Sequence, residues 1–167
     1  MLETNKTLLR RHFDEVLNLG RLEVIDDIYA GGYVLDAPVQ TEGSVQSHGE
    51  THGRDGLKRR VLLFRTAFPD IHFTIDRIVA EDNQVVVQYT FTGTQTGQFG
   101  ELQPGGRTIR VTGVLVAQIE DGAIASAVSV FDSGDLMRQL APEHTSPLHR
   151  ILETLTGRHH RHAVAHS

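Results

Sequence analysis

The chain has 167 residues, of which 39% are apolar and 22% charged, with 16 glycines and 5 prolines. That length and composition fit one globular domain and exclude collagen-like and wholly disordered chains. No cysteine is present, which excludes disulfides, thiolate metal sites and a cysteine nucleophile.

The formal net charge is −5 and there is no tryptophan, so neither nucleic acid nor an anionic membrane surface is an expected partner. No apolar run approaches the roughly 20 residues that span a bilayer. The N-terminus becomes charged at once and lacks the apolar stretch of a signal peptide. We therefore expect a cytoplasmic protein.

The first part of the chain predicts two helices and a short strand. A helix capped by Thr4 carries Leu9, Phe13, Val16 and Leu17 at helical spacing and ends at Gly20. A second helix fits residues 22–30, ended by two glycines. Residues 33–36 then predict a strand, closed by a proline.

Residues 39–56 contain many turn formers and predict a long loop. A helix follows from Leu57, with Val61, Phe64 and Phe68 on one stripe, and ends before Pro69. Four β-rich segments follow: residues 71–80, 85–92, 108–119 and 123–131. Between the last two, Asp121-Gly122 is a strong hairpin signal, which predicts antiparallel neighbours.

Helices gathered before strands predict an α+β fold, in which helices pack on a curved antiparallel sheet and enclose an apolar pocket. We assign residues 1–141 to this domain. Residues 142–157 predict an amphipathic helix that carries Leu148, Ile151, Leu152 and Leu155 on one face, and residues 158–167 a disordered tail. The apolar face of that helix suggests packing on its own domain or on a partner subunit.

Several short segments together resemble the SnoaL-like polyketide cyclases, within the nuclear transport factor 2-like superfamily that also holds ketosteroid isomerase. The segments are residues 13–18 (FDEVLN), 64–70 (FRTAFPD), 78–81 (IVAE), 93–99 (GTQTGQF), 104–107 (PGGR), 131–132 (FD) and 136–140 (LMRQL). The resemblance implies a cone-shaped α+β barrel with an internal cavity, a homodimer or tetramer, and no metal or organic cofactor. It also implies an enzyme of natural-product biosynthesis, antibiotics included, that acts on a small molecule.

The chain departs from the family pattern at several polar positions. Asp36 stands where these cyclases commonly carry a histidine, and Gln95 and Gln88 replace a histidine and an arginine. In the last strand, Ser126 and Val128 replace glutamate and tryptophan. Asp132 matches the family's catalytic aspartate.

Asp132 follows a strand in which Ser126, Val128 and Val130 share one side. A carboxyl group in an apolar pocket has a raised pKa, which suits general acid/base catalysis near neutrality. The alternative is a helix N-cap, since Asp132-Ser133-Gly134 precedes a short helix. Asp36 offers a second catalytic carboxylate, or an Asx-type turn before Pro38.

Further side chains are candidates for binding a substrate. Phenols and amides can hydrogen-bond carbonyl oxygens, aromatic rings and a valine can form an apolar wall, and a strand histidine can line the pocket. The candidates are Tyr33, Phe64, Phe68, His72, Gln88, Tyr89, Gln95, Phe99 and Val128.

No metal site is expected. His48 and His52 share one face only in a helix, which Gly49 and Gly53 oppose, and the tail histidines supply no closed site.

Three functions stay open. The first is aldol-type ring closure of an apolar, oxygen-rich substrate, with Asp132 as acid/base. The second is epoxide opening or double-bond isomerisation by Asp36 and Asp132 together. The third is a non-catalytic ligand-binding or dimerisation module, whose cone would be filled or uncharged.

Overall fold

A computed structural model describes residues 1–37 and 50–141. Its helices are α1 (Leu2–Arg11), a π-helical segment π1 (His12–Asn18), α2 (Val24–Ile28), α3 (Gly53–Ala67) and α4 (Ser133–Leu140). Its strands are β1 (Tyr29–Asp36), β2 (Glu50–His52), β3 (His72–Glu81), β4 (Gln84–Thr94), β5 (Thr108–Glu120) and β6 (Ala123–Phe131). The predicted helix over 142–157, the tail and most of the 39–56 loop lie outside the described residues.

The strands form one curved six-stranded sheet in the order β2-β1-β6-β5-β4-β3. All neighbours are antiparallel except β1 and β6, which run parallel. Asp121 and Gly122 both have positive φ, at 48° and 76°, in the two-residue turn that joins β5 to β6. The predicted α+β fold and the Asp-Gly hairpin are therefore confirmed.

The helices cover the inner face of this sheet. Helix α1 and segment π1 pack on β3, while α3 packs on β1. Inward residues of β5 alternate with outward ones along the whole strand, as a half-buried strand requires. The core includes Leu9, Phe13, Ile25, Val61 and Phe91.

Several predicted boundaries were wrong. Helix α1 begins at Leu2 with Met1 as its N-cap, so Thr4 lies inside the helix. Strand β1 begins at Tyr29 and includes the two glycines that were expected to end a helix over residues 22–30. Helix α3 begins at Gly53, whose φ of +69° suits the turn from β2, so the predicted loop is shorter at its C-terminal end.

Valines give the outer face of the sheet an apolar patch. Val79, Val114, Val128 and Val130 are 53%, 39%, 41% and 38% exposed. Cross-strand pairing joins them in rows, with Val114 opposite Val130 and Val116 opposite Val128. We call this set, with Val86 and Val116, the outer valine patch.

Candidate active-site cavity

The space between the helices and the inner face of the sheet is a cavity that, with its mouth, encloses about 710 Å³. A concave, mostly apolar wall with a few polar side chains is typical of a pocket for a small molecule. Its wall is apolar apart from six described side chains, which are His12, Tyr33, Arg60, Arg65, Tyr89 and Ser129.

His12 reaches the cavity from the first residue of segment π1. Its Nδ1 lies 2.8 Å from the hydroxyl of Tyr29, and the ring is only 7% exposed. Burial lowers the pKa of His12 to about 4, so the imidazole is neutral at physiological pH. Nε2 has no hydrogen bond to any described residue. π-Helical turns are frequent at functional sites, and here the wide turn places His12, Phe13 and Leu17 on the cavity wall.

Two phenols from strands of the sheet line the cavity. Tyr33 on β1 and Tyr89 on β4 are both buried, and burial raises the pKa of each, so both remain protonated donors. The Tyr89 hydroxyl lies 3.2 Å from Ser129 Oγ. Gly113 stands opposite Tyr89 on β5, and a Cβ there would lie 2.6 Å from the Tyr89 hydroxyl. The glycine therefore leaves room for the phenol.

Two arginines of α3 also face the cavity, with different surroundings. Arg65 donates to the backbone oxygens of Leu17 and Asn18 at 2.8 and 3.0 Å, which joins α3 to the end of π1. Arg60 has no hydrogen bond or ion pair with any described residue, and its guanidinium lies 5.6 Å from the centre of the Phe64 ring. Burial lowers the pKa of Arg60, while the nearby Tyr89 and Tyr33 oppose that shift.

Of the predicted substrate-binding residues, the structure brings Tyr33, Phe64 and Tyr89 together on the cavity wall. Phe68 and Phe99 are buried, pack edge to face at 5.2 Å and are absent from the described wall. Gln95 is 1% exposed, and its amide donates to the carbonyls of Gly97, Leu102 and Gln103 in the loop after β4. It holds that loop together instead of facing the cavity.

The predicted carboxylates lie elsewhere. Asp132 is exposed and is the N-cap of α4, where it accepts a 2.7 Å hydrogen bond from the amide of Asp135. Asp36 is exposed at the end of β1, opposite Val128. The expectation that Asp132 lies in an apolar pocket is corrected, because Val128 and Val130 belong to the outer face of β6, whereas Ser129 and Phe131 face inward.

The remaining predicted residues also face outward. Val128 belongs to the outer valine patch, and His72 and Gln88 are exposed on β3 and β4. None of the three lines the described part of the cavity.

Sequence reasoning missed four of the six polar cavity residues, namely His12, Arg60, Arg65 and Ser129. For His12 and Arg60 a signal was present. His12 falls on the same helical stripe as Leu9, Phe13 and Val16. Arg60 falls on the stripe of Leu57, Val61 and Phe64. A polar residue inside an apolar stripe is buried with that stripe, which makes it a candidate for a site.

Within residues 1–37 and 50–141, no group of three or more His, Asp or Glu side chains is placed to hold a metal ion. In the same ranges, no helix is both long and apolar enough to cross a membrane. His48 lies outside the described residues.

Helices packed on a curved sheet around an apolar cavity form a nuclear transport factor 2-like fold. A sequence model of the SnoaL-like polyketide cyclases matches residues 7–140, and the chain belongs to that family. The family binds small molecules, and membership indicates an enzyme with a cyclase-type activity. No curated protein matches the sequence.

Solved structures share the fold. A protein described as a SnoaL-like polyketide cyclase, from Jannaschia sp. CCS1, is 22% identical with a TM-score of 0.75, over 84% of this chain and 94% of that one. One described as a polyketide cyclase, from Acidithiobacillus ferrooxidans, is 27% identical with a TM-score of 0.69, over 82% and 94%. IdmH from Streptomyces antibioticus is 23% identical with a TM-score of 0.69, over 81% and 97%.

Proposed function

We propose that the protein is a cofactor-independent enzyme that closes a ring in an apolar, oxygen-rich small molecule by an aldol-type reaction, as in polyketide biosynthesis. The observation that carries the proposal is the neutral imidazole of His12 on the wall of an apolar cavity, together with the phenols of Tyr33 and Tyr89. Family membership supports the same class of reaction.

His12 is the acid/base group of this proposal. In the tautomer with the proton on Nδ1, the Tyr29 hydroxyl oxygen, 2.8 Å from Nδ1, accepts a hydrogen bond from Nδ1–H, and the Nε2 lone pair is available to substrate. Nε2 takes a proton from a carbon next to a carbonyl group, which leaves an enolate. The enolate carbon attacks a second carbonyl of the same molecule, and the alkoxide formed takes the proton back from Nε2. No atom is lost.

Burial makes an imidazolium costly, and that cost sets the order of events. The charge on His12 forms only while an enolate or alkoxide lies beside it, so the two opposite charges stabilise each other in a medium of low dielectric. Tyr33 and Tyr89 remain protonated and donate to the oxygen on which negative charge develops.

The positions of Asp36 and Asp132 do not favour the two-carboxylate alternative. Both are exposed, and neither lines the described part of the cavity. Double-bond isomerisation needs the same proton removal and return as the aldol reaction, so the wall described above would serve it as well. The cavity wall contains a guanidinium. This charged group disfavours the alternative of a dimerisation module, whose cone would be uncharged.

The proton-removal step can be tested without the natural substrate. The bicyclic ketone 2-tetralone has acidic protons at C1, and their exchange in D2O is followed by proton NMR. We expect wild-type protein to accelerate exchange and His12→Phe to reduce the catalysed rate by roughly 100-fold, the range of a general base. Tyr89→Phe should reduce it less, since one donor of two is lost.

Asp132→Asn is the matched control, because asparagine retains the ability to cap α4. It should exchange the ketone at the wild-type rate. A wild-type rate in His12→Phe together with a large loss in Asp132→Asn would transfer the acid/base role to Asp132. No acceleration by the wild type would favour a ligand-binding module.

We also propose that the chain forms a homodimer through the outer valine patch. Contiguous exposed apolar surface marks association sites, and this patch crosses four neighbouring strands. Light scattering should give twice the chain mass for the wild type and the single mass for Val128→Lys with Val130→Lys. A monomeric wild type would contradict the proposal.

A further inference from the structure

We propose that Arg60 binds a carboxylate of the ligand, so that the substrates of this cavity are apolar carboxylic acids in their anionic form. This inference rests on the proposed function, because it names the class of substrate for the same site.

Among the described residues, the guanidinium of Arg60 has packing contacts and no hydrogen bond. Its side chain comes from the cavity face of α3, between Leu57 and Phe64, and the Phe64 ring lies 5.6 Å from its central carbon. Arg65, five residues further along α3, donates from Nη1 to two backbone oxygens. Arg60 instead has no hydrogen bond with a described residue, so its donors are available to a ligand.

The described wall has no acidic side chain to neutralise Arg60. Its other polar groups are the two phenols, the neutral His12, Ser129 and Arg65, so the wall carries net positive charge. A cation in an apolar cavity is costly unless an anion accompanies it. The missing negative charge is therefore expected on the ligand.

A carboxylate fits the guanidinium better than a single enolate oxygen does. Its two oxygens accept parallel hydrogen bonds from the planar fork of an arginine, whereas an enolate offers one oxygen. An ester or a ketone carries no negative charge, so neither can neutralise the guanidinium. Arg60 should thus distinguish a free acid from its ester.

The test uses two probes of nearly equal size, 2-naphthoate and methyl 2-naphthoate, with binding measured by calorimetry at neutral pH. We expect wild-type protein to bind the anion more tightly than the ester. Arg60→Met should weaken binding of the anion by roughly 10- to 100-fold, as expected for charge-assisted hydrogen bonds. Binding of the ester should stay unchanged or become tighter.

Arg59→Met is the matched control, because Arg59 is an exposed neighbour on the same helix and lies outside the described cavity wall. It should bind both probes as the wild type does. Thermal melts check folding, and Arg60→Met should melt no lower than the wild type because an unpaired, partly buried charge is removed. Equal anion affinity in wild type and Arg60→Met, or an ester that binds the wild type as well as the acid, would overturn the inference.

The two proposals fail separately in these measurements. If wild-type protein does not accelerate ketone exchange but still prefers the anion, the proposed enzymatic function is wrong and the proposed carboxylate site stands. Retained exchange with no preference for the anion would refute the carboxylate site alone.

Discussion

Gly97→Ala is expected to lower the free energy of unfolding by about 3 kcal/mol or more, because the new methyl group meets backbone on α3. A Cβ at Gly97 would lie 2.1 Å from the carbonyl oxygen of Thr66 and 3.0 Å from the Cα of Ala67. The amides of Thr96 and Gly97 both donate to the Ala67 oxygen at 3.0 Å. The loop cannot move away from the methyl group without weakening both hydrogen bonds.

Urea unfolding followed by circular dichroism measures this loss. Gly32→Ala is the control, since a Cβ at Gly32 would have no neighbour within 4 Å and its φ is not positive. That variant should change the free energy of unfolding by at most about 1 kcal/mol, because alanine is favoured over glycine by such an amount. Equal effects at the two glycines would show that the close approach to Thr66 does not limit stability.

The second large effect is acid lability caused by His12. Its pKa is lowered from 6.5 to about 4 in the folded protein by burial. Between those pH values the unfolded chain binds a proton at this residue and the folded protein does not. The contribution of neutral His12 to the free energy of unfolding is therefore fully present above pH 6.5 and decreases as the pH falls toward 4.

The size of the effect follows from the difference between the two pKa values. At 1.36 kcal/mol for each pKa unit, the decrease from neutral pH to pH 4 is about 3 kcal/mol. The free energy of unfolding, measured in urea at a series of pH values, should fall over this range. In the double variant His12→Leu with Tyr29→Phe, which also removes the buried hydroxyl partner, the decrease should be smaller by about that amount.

His72→Gln is the control for this measurement, since His72 is exposed on β3. It should retain the acid lability of the wild type, because an exposed side chain changes its surroundings little on folding. The prediction is wrong if the double variant and His72→Gln lose stability equally between pH 7 and pH 4.

Local patterns in the sequence predicted much of the fold. The stripe of Leu57, Val61 and Phe64 predicted α3, and the β-rich runs after Pro69 predicted the four long strands. These predictions succeed because burial on one side of a helix or strand repeats with that element's own period. Boundaries failed where glycines, as at Gly31 and Gly32, lie within a strand instead of ending a helix.

The side of β6 that faces the cavity could not be read from its sequence. Val128 and Val130 on one side are as apolar as Ala127 and Phe131 on the other, so the alternation gives no preference. A shift of one residue exchanges the two faces of a strand. The structure resolves this by pairing β6 with β5 and β1, which turns Ser129 and Phe131 inward and leaves Asp132 to cap α4.

The α+β class, the hairpin between β5 and β6 and the family can be recognised from patterns within short segments of the sequence. The set of polar groups that share the cavity cannot, since these groups come from separate elements that meet only in the folded chain. His12 meets Tyr29 across 17 positions of sequence, and Tyr89 meets Ser129 across 40. Such contacts depend on the curvature of the sheet and the width of the π-helical turn, which no local pattern specifies.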